Sequence, residues 1–133
     1  MANVSTYLNF PDKTEEAFNF YKSVFKTEFG VNGIQRYGDM PGNHLTEEQK
    51  KLVLYVELPI KSGHILRGSD APESMGFKIS VGNNMHINIE TDTREETKRL
   101  FDALSKDGTV ICPLGDMFWG AYFGQCTDKF GVN

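Results

Sequence analysis

From Val4 to Phe10 apolar and polar residues alternate, with Val4, Leu8 and Phe10 on one side, and that period of two predicts a strand. Pro11-Asp12 ends it. Thr14 is placed as an N-cap, and Glu15 and Glu16 suit a first helical turn. Ala17, Phe20, Tyr21, Val24 and Phe25 then recur at the spacing of one apolar helix stripe, which predicts a helix over 14–25 lying on a sheet. Strands are predicted over 29–37, broken by a turn at Asn32-Gly33, over 52–60, and over 64–69 after the Lys61-Ser62-Gly63 turn. Residues 38–51 are polar and read as an excursion with one helical turn near Thr46–Gln49. The order then repeats. Met85–Thr91 reads as a strand and Thr93 as the cap of a helix to Leu104, with Leu100, Phe101 and Leu104 inward. Gly108 ends that helix, strands follow over 109–114 and 117–126, and Phe130–Asn133 begins another. An offset of 80 aligns His86 with Thr6 and Leu100 with Phe20. Agreement of strand, cap, acidic turn and stripe points to an internal repeat. Two joined units of this kind make curved half-sheets, and a concavity between them can hold a ligand.

The totals narrow the function classes. A chain of 133 residues predicts a single domain, 1–133, of two modules, 1–75 and 76–133. The net charge of −4 argues against nucleic-acid or anionic-membrane partners. No apolar run has membrane-spanning length, so a cytoplasmic protein is expected. Cys112 and Cys126 fit neither a CxxC pair nor a zinc spacing and read as ordinary reduced thiols.

The repeat, the Glu15-Glu-Ala-Phe-Asn-Phe-Tyr21 helix and the closing Asp116-Met-Phe-Trp-Gly120 and Thr127-Asp-Lys-Phe-Gly131 resemble the PhnB-like branch of the glyoxalase / bleomycin-resistance / extradiol dioxygenase (vicinal oxygen chelate) superfamily. The resemblance covers nearly the whole chain. It implies an α+β fold of two βαβββ modules in a cupped mixed sheet of about eight strands, and a homodimer. It also implies a divalent metal held by His, Glu or Gln on the first and last strands of each module. Proteins of this branch are often labelled methyltransferases. The chain lacks a glycine-rich strand-to-helix loop for a nucleotide-like methyl donor, which counts against that label.

Set against that pattern, His86 falls where a ligand is expected, on a side shared with Asn88 and Glu90. It can bind a metal, act as a base, or be a hydrogen-bonded strand histidine with no chemical task. Thr6, its counterpart, is a poor metal ligand and suits a hydrogen bond to a bound molecule. His64 stands where a glutamate is expected, and can replace it or simply end a strand. The fourth position falls past Gly131, beyond the last residue of the sequence. Trp119 and Phe123 share a face with Gln125 and can stack on a planar ligand or pack in the core. Arg67 can receive an anion or be solvated, and Glu90 can supply negative charge. Two readings follow. The first is a metal-assisted enzyme on a small oxygen-rich metabolite, with His86 as ligand or base. The second is a non-catalytic binder of a small aromatic or cationic compound.

Overall fold

The computed structural model describes residues 2–133. The chain divides after Ser80 into two units, the second being Val81–Asn133, where a boundary near residue 75 was expected. In the first unit β1 (Thr6–Phe10), β2 (Ile34–Arg36), β3 (Val53–Pro59) and β4 (Ile65–Asp70) form a sheet in the order β1-β4-β3-β2. β1 and β4 are parallel and the other pairs antiparallel. Parallel neighbours need a crossover. It runs through α1 (Thr14–Phe25), β2, the short helix α2 (Glu47–Lys50) and β3.

α1 buries Thr14, Ala17, Phe18, Tyr21, Val24 and Phe25. The expected stripe named Phe20, which is only half-buried; Phe18 takes the central place. The reason lies in β4. A Cβ built on Gly68 would lie 2.5 Å from Phe18 Cε1 and 2.7 Å from Cζ, so the ring occupies the space a side chain there would fill. Burying such a ring is worth about 2–3 kcal/mol.

Thr14 is the first helical residue rather than the cap, which is Lys13. Tertiary structure supplies the capping acceptor instead. The buried Asp70 carboxylate, at the end of β4, accepts from Thr14 N at 3.0 Å and from Val53 N at 2.8 Å. Tyr37 donates its hydroxyl to the Asp70 carbonyl at 2.8 Å. One residue thus ties the start of α1 to β3 and β4 through charge-assisted bonds.

The expected strand over 29–37 shortens to β2 because the Asn32-Gly33 turn occupies its first half, with Gly33 N donating to Gly30 O. The helical turn expected near Thr46–Gln49 is α2. Thr46 Oγ1 accepts from Gln49 N, and the Gln49 side chain accepts from Thr46 N, which is a capping box.

In the second unit α3 (Arg94–Ser105) precedes the antiparallel hairpin of β5 (Thr109–Asp116) and β6 (Tyr122–Thr127). Thr93 caps α3, its hydroxyl accepting from Glu96 N at 3.1 Å. α1 and α3 are displaced by 80 at both ends (94 − 14 and 105 − 25). Leu100 is buried, and Phe101 is half-buried with its ring against Gly124, where an added Cβ would lie 2.8 Å from Cε2. Asp107, with φ 61°, takes the left-handed position after α3 that was expected of Gly108. Gly108 is instead the residue over which the Thr127 carbonyl passes too closely for any side chain.

Six strands form ladders among the described residues, where about eight were expected. Met85–Thr91 and Phe130–Asn133 are not among them. The bond from Ile87 N to Asn133 O, 3.0 Å, joins these segments, and a strand needs a run of such bonds. Among the described residues no helix is long and apolar enough to cross a membrane.

Gly68→Ala is expected to cost about 1–3 kcal/mol, because Phe18 is fully buried and its ring has no free space to enter. Urea denaturation of G68A and of G68A with Phe18→Leu checks this: the single variant should lose stability and the smaller side chain should restore part of it. An unchanged midpoint for G68A would contradict the packing.

Candidate functional site

Alternation along a strand decides which side chains face away from the helix. In the second unit Gly124 meets Phe101 of α3, so Phe123 and Gln125 point to the opposite side of the hairpin. Gly115 and Cys112 are their cross-strand partners and share that side. Tyr122 lies on the α3 side, under the Arg94 guanidinium at 3.9 Å from its ring centre. Arg94 also makes two bonds to the Asp116 carboxylate, 2.8 and 3.1 Å. Those bonds hold the Asp116 carboxyl below its usual range and anchor the start of α3 to the end of β5.

A tight turn joins β5 to β6, with Met117 N donating to Ala121 O at 2.8 Å and Gly120 N to Met117 O at 3.0 Å. Gly120 adopts φ 96°, open to glycine. The turn presents Phe118 at 97% exposure and Trp119 at 60%, the two rings edge to face at 5.0 Å. Trp119 lies 6.3 Å from Phe123, which is 36% exposed. Gln125 Nε2 lies 3.3 Å from Nδ1 of the exposed His86. The candidates thus form two pairs: the Trp119–Phe123 aromatic ledge of the hairpin, and, two residues along β6, Gln125 with His86 reaching it from the segment before α3. Glu90 is exposed like His86 and Asn88, and among the described residues the bond of the pair is between Gln125 and His86.

In the first unit the expected residues separate. Thr6 sits in register with Leu66, on the side of Leu8, Phe10 and Gly68 that α1 covers. Its hydroxyl meets His64 Nε2 at 2.8 Å. Arg67 lies on the opposite face, in a cluster that the sequence did not disclose. Arg67 Nη1 donates to Glu57 Oε1 at 2.8 Å and to the Tyr55 hydroxyl, and Nε donates to Ser5 Oγ at 2.9 Å. Tyr55 in turn donates to Glu57 at 2.8 Å, and the Tyr7 ring lies 6.1 Å from that of Tyr55. Burial first, then the Glu57 hydrogen bond, pushes the Tyr55 phenol up, with Arg67 opposing. The signal available was parity: Tyr55, Glu57 and Arg67 share a side once Glu57 is known to pair with Arg67.

Burial also qualifies the internal match. Leu8 and Phe10 face α1, while in the second unit Ile87 and Ile89 are the more buried positions and His86 is exposed. Thr6 thus lies on the covered side of its sheet, whereas His86, 80 residues on, is an exposed position like Tyr7.

A divalent metal needs several converging charged or imidazole donors. Among the described residues no three His, Cys, Asp or Glu side chains gather. His64 is engaged by Thr6 and His86 by Gln125. Within neither unit does a set of donors for a divalent ion assemble among the described residues. Both cysteines are free thiols; burial first, then the Asp128 charge, raises that of Cys126.

The family model described as 3-demethylubiquinone-9 3-methyltransferase matches residues 2–133. Protein PA1353 from Pseudomonas aeruginosa has a similar structure, with a TM-score of 0.84 and 30% identity, covering 99% of this chain and 93% of that one. The PhnB protein from Bacillus cereus follows with a TM-score of 0.75 and 29% identity over 98% of this chain and 95% of its own. Protein YjdN of Escherichia coli (strain K12) is 27% identical over 134 residues, 97% of this chain and 90% of that protein.

Tyr55→Phe is expected to cost about 1 kcal/mol, since it removes the hydroxyl shared by Glu57 and Arg67 in a half-exposed setting. Because the phenol is raised above its ordinary 10.0, its contribution is whole below pH 10 and is lost as pH rises through the raised value. Denaturation midpoints of wild type and Y55F from pH 8 to 11 should therefore converge on the alkaline side. A constant gap would contradict the assignment.

Proposed function

We propose, on the premise that this chain belongs to the family described as 3-demethylubiquinone-9 3-methyltransferase, that it is a non-catalytic binder of small planar compounds. The observation that carries this reading is the ledge of Trp119 and Phe123, held on the side of the hairpin away from α3 and left open to solvent. Exposed aromatic rings on a rigid turn offer stacking area at low entropic cost. The resemblance extends the reading to the glyoxalase / bleomycin-resistance / vicinal oxygen chelate superfamily, and makes a cytoplasmic homodimer of two βαβββ modules the expected assembly.

Methyl transfer, the activity in the family's description, has less support. β1 passes into α1 through Pro11-Asp12-Lys13, with no glycine to let the backbone close on a nucleotide-like donor. Metal-assisted chemistry rests on His86, and the donor set does not assemble around it.

Trp119 is the single tryptophan in the sequence, so its emission reports on the ledge alone. A planar probe such as N-methylquinolinium should quench it saturably, while a cyclohexylammonium probe should not. Phe123→Ala should weaken the planar probe about tenfold, the loss of one stacked ring. Quenching that rises linearly without saturation, or equally for both variants, would overturn the proposal.

A further inference from the structure

The pairing of His86 with Gln125 assigns a direction to the hydrogen bonds this face can make. An amide nitrogen has no acceptor lone pair and only donates. Gln125 Nε2 therefore donates to His86 Nδ1, across 3.3 Å. A neutral imidazole carries one proton, so with Nδ1 accepting, the N–H is on Nε2. Nε2 has no partner within the described structure. His86 thus offers a donor, not a lone pair, at the strand position two residues along from Phe123 of the ledge.

We infer that His86 is a specificity-determining donor, positioned by Gln125, that selects planar ligands bearing a carbonyl or similar oxygen acceptor. This deepens the stacking reading and rests on it. It also accounts for why His86 lacks metal-site character. A metal takes the nitrogen lone pair, and the arrangement here commits the Nδ1 lone pair to the amide and places a proton on Nε2. Stacking alone tolerates any flat compound. A fixed donor beside the stack distinguishes flat compounds that differ by a single oxygen, because a site built for a hydrogen bond penalises the ligand that lacks one.

Gln125→Glu reverses the logic. A carboxylate only accepts, so Nδ1 must then carry the proton and Nε2 of the neutral ring becomes a bare acceptor. Gln125→Glu thus changes the polarity of the pair at nearly constant volume.

The test uses 1-indanone and indane, flat bicycles that differ by a carbonyl. Binding is followed by 1H–15N chemical-shift changes at the Trp119 indole and the Gln125 amide. His86 protonation is read separately from its ring-nitrogen correlations. Wild type should show the proton on Nε2 and bind 1-indanone about fivefold tighter than indane, the worth of one hydrogen bond. His86→Phe should bind both alike, and, at a pH where the ring is neutral in both proteins, Gln125→Glu should move the proton to Nδ1 and abolish the preference. A wild-type proton on Nδ1, or equal affinity for the two probes, overturns the donor assignment while leaving the stacking reading standing. If neither probe shifts the Trp119 indole, the stacking reading falls, and the nitrogen correlations still decide whether Nε2 is the donor.

Discussion

A phenylalanine ring laid over a strand glycine settles which side of each sheet its helix covers. In the first unit the ring is Phe18 and the glycine Gly68; in the second they are Phe101 and Gly124. Neither strand can carry a larger residue there without displacing the ring or the helix. Everything about the faces follows from this contact and from the alternation of side chains. Leu66, Asp70, Leu8 and Phe10 join the α1 side, while Arg67, Tyr55 and Glu57 are left on the other. Tyr122 joins the α3 side, and Phe123 and Gln125 face away from it.

The two units use the freed face differently. In the first it is closed by its own bonds, since Arg67, Glu57, Tyr55 and Ser5 satisfy one another. Such a neutralised cluster offers little to an incoming charge. In the second the aromatic rings at the hairpin turn are exposed, and among the described residues the imidazole pairs with the Gln125 amide alone. On the proposed reading, what this face offers a ligand is stacking and one directed hydrogen bond.

Much of the architecture was legible in the residues. Both helices, the Thr93 cap, the helical turn at Thr46–Gln49 and the turns at Asn32-Gly33 and Lys61-Ser62-Gly63 rest on local chemistry. Thr14 misled because its N–H is satisfied by Asp70, 56 residues away, which no local rule could show. The strand before α3 misled in the same way, for a ladder depends on its neighbour. On the face, Phe123 and Gln125 were readable from a period of two. The Arg67 cluster was not, because it requires the register of β3 on β4. The match of Thr6 with His86 could not be judged from an offset alone, because Thr6 lies in a ladder and His86 lies in a segment outside one.

The central claim, that ring-on-glycine contacts fix the covered face, is tested most directly by nuclear Overhauser contacts in solution. The ring protons of Phe18 should reach the α-protons of Gly68, and those of Phe101 the α-protons of Gly124, with both glycine signals moved by the ring currents. Contacts from the Phe101 ring to the side chains of Phe123 or Gln125, in place of those to Gly124, would mean that α3 covers the other face, and the account would be wrong.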